Sequence, residues 1–169
     1  MAPMPLSNWK LKMDHKHLIA VTPAELVTVW PQIREQVATI EAPDGFLPED
    51  VYLACKTGNA TLFFLMAGEK RVGWMVARLL LPDLHIWQLK ADAGYDVMTT
   101  YRAQLMDLAR QANAASLTFG STLKAWAKVA PSHGFKMRMI VYECKVDPAP
   151  VPPQLPVANE SNNSEVAAQ

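Results

Sequence analysis

Strand-like runs alternate with runs of helical period along residues 17–146. Residues 17–21, HLIAV, read as a first strand. Thr22, Pro23 and Glu25 then stand at the N-cap, first and third positions of a capping box. Behind it Leu26, Val29, Trp30, Ile33, Val37 and Ile40 recur at helical spacing. Pro31 lies inside that run and predicts a kink or two abutting helices. Pro43-Asp44-Gly45 predicts a turn, and Pro48-Glu49-Asp50 opens a short helix through Leu53 and Cys55. Past the breaker Gly58-Asn59, residues 60–67, 71–81 and 84–90 predict a meander of three strands, turning at Gly68-Glu69-Lys70 and Pro82-Asp83. Residues 96–114 predict a helix whose apolar face is Val97, Tyr101, Leu105, Leu108 and Ala112. A strand over 115–119, a helix over 123–130 closed by Pro131 and Gly134, and a long last strand over 135–146 complete the order. This order predicts a mixed α/β sheet of five to six strands with helices on both faces.

Composition agrees with one domain carrying appendages. The chain has 169 residues, of which 50% are hydrophobic and 19% charged. No apolar run approaches the ~18 residues of a membrane span, so no membrane is expected as a partner. The first residues also lack the apolar stretch of a secretory signal. Cys55 and Cys144 are too few for a disulfide scaffold or a structural zinc site, and both read as buried apolar residues. Residues 147–169 hold five prolines and three acids, with no Lys, Arg or aromatic residue. Such a segment buries too little apolar area to offset the entropy of ordering it. The reading is therefore an arm over 1–13, a domain over 14–146 and an acidic, proline-rich tail over 147–169.

The net charge is zero, which argues against a protein that coats nucleic acid along its whole surface. Residues 120–146 are locally basic, with Lys124, Lys128, Lys136, Arg138 and Lys145 against Glu143. A solvated face is favoured over a nucleic-acid edge, which stays the lesser reading.

The element order within about 130 residues resembles the GNAT (Gcn5-related N-acetyltransferase) fold. Three stretches carry the resemblance. "VWPQIREQV" with "PEDVYLACKTGNATLFFLMAGEKRVGWMVARLL" looks like the opening helix pair and central hairpin of small GNAT-like proteins of tailed bacteriophages. "IWQLKADAGYD" matches the junction from the fourth strand to the next helix. "ARQANAASLTFGSTLKAWAKVAPSHGFKMRMIVYECKV", with Trp126, Lys128 and Gly134-Phe135, resembles the GNAT ending, where a helix runs into Gly-Phe and a last strand. The resemblance implies a pantetheine arm between strands 84–90 and 115–119, with the substrate amine approaching from the helix-pair side.

The departures are specific. GNAT enzymes end the fourth strand in Gln/Arg-x-x-Gly-x-Gly/Ala, a loop whose N–H groups hold the acetyl-CoA diphosphate. Here the loop carries Lys90, Ala91, Gly94 and Asp96, and of the motif only Gly94 fits. Asp92 and Asp96 bring two carboxylates to the diphosphate position, and Lys90 offsets part of that charge. Many GNAT enzymes carry an acidic tyrosine four residues before Gly-Phe; that position is Ala130. Ser132 and His133 stand nearby as substitutes, with turn capping as the plainer reading.

Other residues are less pointed. His15 and His17 share a strand face and could clasp a metal, but no third ligand is evident and no metal is expected. His85 reads as a sheet residue, and Glu49 and Asp50 as first-turn acids suited to the helix dipole. Trp9, in a basic arm, either docks on a partner or folds back. The expectation is a GNAT-like bacteriophage protein without catalysis or cofactor. It would serve as a virion, assembly or host-interaction component in the host cytoplasm or virion. Its partners would be phage or host proteins met through Trp9 and the tail. The alternative is an N-acetyltransferase using acetyl-CoA through an atypical loop.

Overall fold

The computed structural model describes residues 15–40 and 45–140. Trp9 and the arm, Pro43 and Asp44 of the first turn, Cys144, and the tail lie outside the described residues. The chain divides into two compact units after Lys136. Every helix and strand described below lies in the first. In the second, Met137, Met139 and Ile140 are exposed.

Strand β1 spans Lys16–Val21. The reciprocal bonds of the capping box form: the Thr22 N–H and hydroxyl donate to Glu25 Oε2 (2.9 and 2.7 Å), and the Glu25 N–H donates to Thr22 Oγ1 (3.3 Å). They close a turn over residues 23–25, and the helix proper starts at Leu26 with Glu25, not Thr22, at its N-cap. Helix α1, Leu26–Ala38, runs through Pro31 as one helix. Leu26, Trp30, Ile33 and Val37 are all buried on one face, and that packing holds the helix across the missing proline N–H. Helix α2 is Pro48–Lys56, its start closed by the Leu47 N–H on Asp50 Oδ2 at 2.7 Å.

Strands β2 (Thr61–Ala67), β3 (Lys70–Leu80), β4 (Asp83–Ala91) and β5 (Ser116–Phe119) join β1 in one sheet of order β1-β2-β3-β4-β5. Neighbours are antiparallel except β4 and β5, which are parallel. Helices α3 (Val97–Thr100) and α4 (Arg102–Gln111) make the crossover between them. The two faces carry separate cores. Trp74, Val76 and Leu62 pack under α1 and α2, while Val72, Met75, Ala77, Leu84 and Ile86 pack under Val97, Tyr101 and Leu105. The sheet is thus covered by helices on both faces, as the alternation of periods predicts.

Three elements depart from the sequence pattern. The helix over 96–114 is divided at Tyr101, whose backbone (φ −109°, ψ 15°) leaves helical values. Its fully buried ring sends the hydroxyl to the Met66 carbonyl on β2 at 2.9 Å. Near the end, the helix over 123–130 shrinks to α5 (Trp126–Val129), continued by a 3-10 turn over Ala130–His133 that Gly134 (φ 79°) closes. Residues 135–140 form no strand, and 141–146 lie outside the described residues. Instead of pairing along β5, Phe135 sets its ring against Phe119 at 5.0 Å and 84°. Among the described residues the sheet therefore has five strands, and no helix is long and apolar enough to cross a membrane.

Candidate functional site

The parallel pair of the sheet is β4–β5. Its register runs from Asp83 opposite Ser116 to Ile86 opposite Phe119. On the other side of β4, Ile86 faces Ala77 but Gln88 faces Val76, so Trp87 is an extra residue, a β-bulge. A bulge bends its strand and raises the local twist. It falls one residue past the last β4–β5 pair. From Trp87 to Ala91, β4 continues along β3 without β5 beside it. Sequence periodicity did not show this, because a bulge is a property of the pairing between two strands.

The loop after β4 folds tightly. The Asp92 N–H donates to the Val72 carbonyl at 2.8 Å and the Tyr95 N–H to the Asp92 carbonyl at 3.2 Å. Gly94 sits at φ 89°, a conformation that favours glycine. Asp96 is the N-cap of α3: its Oδ1 accepts the Thr99 N–H (3.2 Å) and its Oδ2 the Thr99 hydroxyl (2.7 Å). The Thr99 hydroxyl, more than any other partner, holds the Asp96 carboxyl below the usual carboxylate range.

The 3-10 turn closes over this helix start. His133 Nδ1 lies 3.2 Å from Thr99 Oγ1, and its Nε2 3.8 Å from Asp96 Oδ2. The Arg102 guanidinium donates to the His133 carbonyl. Between them lies an open hollow of about 400 Å³, bounded by Met98, Thr99, Arg102 and residues 131–134. Ser132 does not join the cluster; its hydroxyl donates to the Val129 carbonyl at 2.7 Å, the turn-capping role. Ala130 opens the 3-10 turn with no side-chain polar group to offer.

Of the loop residues named from sequence, Ala91, Gly94 and Asp96 lie together, whereas Lys90 turns away. Lys90 pairs across the strands with Trp74, on the α1 face, and donates to Thr39 Oγ1 at 3.2 Å. Its charge is therefore held at the end of α1, which corrects the expectation that it offsets Asp92 and Asp96. Arg102, absent from the sequence reading, is the cation that meets this end of α3.

The remaining residues take structural places. His15 and His17 stack at 5.6 Å, and among the described residues no metal-binding cluster is formed. His85 Nδ1 meets Thr118 Oγ1 across β4 and β5 at 3.0 Å. Glu49 bonds Arg34 (2.5 Å), and that bond lowers its pKa. Burial pushes the Cys55 thiol up to about 11, the opposite of what a nucleophile needs.

A site for acetyl-CoA fits these residues in one half only. The β4 edge past the bulge suits an extended, amide-bearing thioester arm, because backbone groups there lack a β5 partner. The start of α3 does not suit a diphosphate: Asp96 already takes the Thr99 N–H and adds a negative charge.

No sequence family matches the chain. No curated protein matches it either. Solved structures do. A ribosomal-protein-alanine N-acetyltransferase from Brucella melitensis biovar Abortus 2308 is similar with a TM-score of 0.55 at 10% identity, over 78% of this chain and 100% of that one. An aminoglycoside acetyltransferase, HMB0005, from an uncultured soil metagenomic sample gives 0.54 at 12% identity, over 79% and 99%. AAC(6')-Iy, in complex with a CoA-linked bisubstrate analogue, gives 0.52 at 15% identity, over 78% and 99%. These neighbours are acetyltransferases, and at such low identity the likeness is one of fold. With its bulged fourth strand, parallel fifth strand and helices on both faces, this chain carries the GNAT fold.

Proposed function

We propose that this protein is an N-acyltransferase of the GNAT type. Its acyl donor is a thioester of the acetyl-CoA kind, whose arm enters where β4 parts from β5. The observation that carries this reading is the Trp87 bulge, one residue past the Ile86–Phe119 pair, together with neighbours that are acetyltransferases over nearly their whole length. When bound, the donor supplies an activated acyl carbon. The chain supplies the free β4 edge to hold the arm and the Phe119, Trp126 and Phe135 rings beside β5 to exclude water. His133, over the α3 start, is the side chain suited to moving a proton there. Asp96 weakens the diphosphate end: a unit charge ~6 Å from another at an effective dielectric of 20 interacts by roughly 3 kcal/mol.

The test is calorimetric titration with acetyl-CoA, alongside thiol release in the presence of amines. Weak binding with measurable thiol release is expected. Absence of both, in the natural chain and in Asp96→Gly, overturns the reading.

A second reading keeps the fold without catalysis, as an interaction protein docking on other proteins of a bacteriophage particle or its host. The Asp96–Thr99–His133 cluster favours it, since it closes the helix end a diphosphate would use.

A further inference from the structure

Buried polar atoms without a hydrogen-bond partner are uncommon, because each carries its full desolvation cost. Among the described residues five such atoms occur, and four belong to Arg78, Trp87 and Gln88. These three are neighbours. The Arg78 guanidinium stacks on the Trp87 ring at 4.2 Å, and Gln88 follows Trp87 in the bulge. Gln88 is 3% exposed and is the one polar residue of the described core. It faces Val76, which belongs to the core under α1 and α2, and Trp87 packs against that same core. Without the extra residue, alternation would send Trp87 and Gln88 to opposite faces. The bulge turns both toward the helix pair. Phe46 meets the Trp87 ring edge-on at 5.1 Å.

The chemistry of this group is lopsided. Arg78 Nε, Trp87 Nε1 and Gln88 Nε2 are donors, and Gln88 Oε1 is the single acceptor. Such a set fits a ligand offering one or two oxygen acceptors beside one N–H donor. It fits a polycation poorly. Arg71, Arg78 and Lys90 line this face of the sheet, while the acids of α1 and α2 are engaged: Glu35 and Glu49 by Arg34, and Asp50 by the Leu47 N–H.

We infer that Arg78, Trp87 and Gln88 form the seat of the acceptor substrate, and that the acceptor is an α-amino group flanked by a carbonyl or carboxylate, as in an amino acid or a peptide N-terminus. Gln88 Oε1 accepts from the amine, and the three donors hold the neighbouring oxygens. Phe46 flanks the seat through its edge-on contact with Trp87. The inference rests on the acyltransferase reading for its reaction but not for its binding.

The experiment compares Ala-Ala, isopropylamine (the same skeleton without the carbonyl) and neamine. Acetyl-CoA-dependent thiol release and quenching of tryptophan fluorescence are read in parallel. Ala-Ala is expected to be acylated and to quench, with the other two at least tenfold poorer. Gln88→Met and Trp87→Phe are each expected to raise the KM for Ala-Ala about tenfold, the loss of one buried hydrogen bond. Gln88→Met should leave the melting temperature unchanged or higher, because it removes an unpartnered amide. A merely structural Gln88 would lower it. Quenching by Ala-Ala that Gln88→Met abolishes, without thiol release from any amine, supports the seat while the acyltransferase reading fails. Equal acceptance of isopropylamine, or no Ala-Ala response in either measurement, overturns the seat.

Discussion

Ile86 and Phe119 form the last pair between β4 and β5, and Trp87, the very next residue, is the extra residue in the pairing of β4 with β3. β5 ends at Phe119, and a bulge bends its strand, so β4 loses one neighbour and shifts register against the other within one residue. The same residue carries an unpartnered indole N–H and touches Arg78 and Phe46. The proposed donor entry and the proposed acceptor seat thus meet at Trp87.

Asp96→Gly should bind acetyl-CoA more tightly than the natural chain, by about tenfold or more, since it removes a charge at the diphosphate end and frees the Thr99 N–H. Calorimetric titration of both proteins measures it. Equal affinities would show that the diphosphate lies elsewhere.

Loss of the cap has a stability cost of its own. Asp96→Ala should lower unfolding free energy by about 1 kcal/mol, the usual worth of an N-cap carboxylate, read from the urea midpoint. The folded Asp96 carboxyl titrates below its ordinary value, so its contribution is fully present above the unfolded value near 3.9 and disappears as pH falls through the lower folded value. Asp96→Asn keeps the acceptor oxygen without the charge. Its stability should therefore fall less steeply than the natural chain's below about pH 4.

Gly73→Ala should destabilise the fold strongly. A Cβ there would stand 2.5 Å from the Lys90 carbonyl oxygen and 2.8 Å from Ala91 Cα, both backbone atoms of the facing strand. Forced overpacking of this kind costs about 1–3 kcal/mol. Denaturant unfolding tests it, and a neutral result would mean that β3 and β4 can separate at this end without penalty.

Tyr101→Phe should cost about 1 kcal/mol, the net worth of a buried hydrogen bond, because the Met66 carbonyl loses its partner. If the hydroxyl is what divides α3 from α4, amide exchange in residues 97–105 should also slow in the variant as the two helices join.

Much of the fold was written locally. The Thr22–Glu25 box, Pro48 with Asp50, the turn at Gly68 and the Asp96 cap are short-range chemistry, and each forms where its spacing places it. Period and composition sufficed for the two opening helices and for the five strands, since each element's apolar face is encoded in its own residues, but not for the division of the 96–114 helix at Tyr101. The opening helix survived Pro31 for a tertiary reason, the burial of Trp30, Ile33 and Val37.

Residues close together along the chain thus account for the order of elements from β1 to β5, the burial on two faces and the carboxylate at the start of α3. The remaining features arise from contacts between distant segments. The bulge at Trp87 exists because β3 and β4 pair out of step there, and no single strand carries that information. The helix divides at Tyr101, whose hydroxyl donates to a carbonyl 35 residues away. His133 meets Asp96, and Arg78 meets Trp87, only after the chain has closed on itself. Sequence spacing reports neighbours within a turn or along a strand face; contacts across the sheet depend on register, and register is settled by packing the whole domain at once.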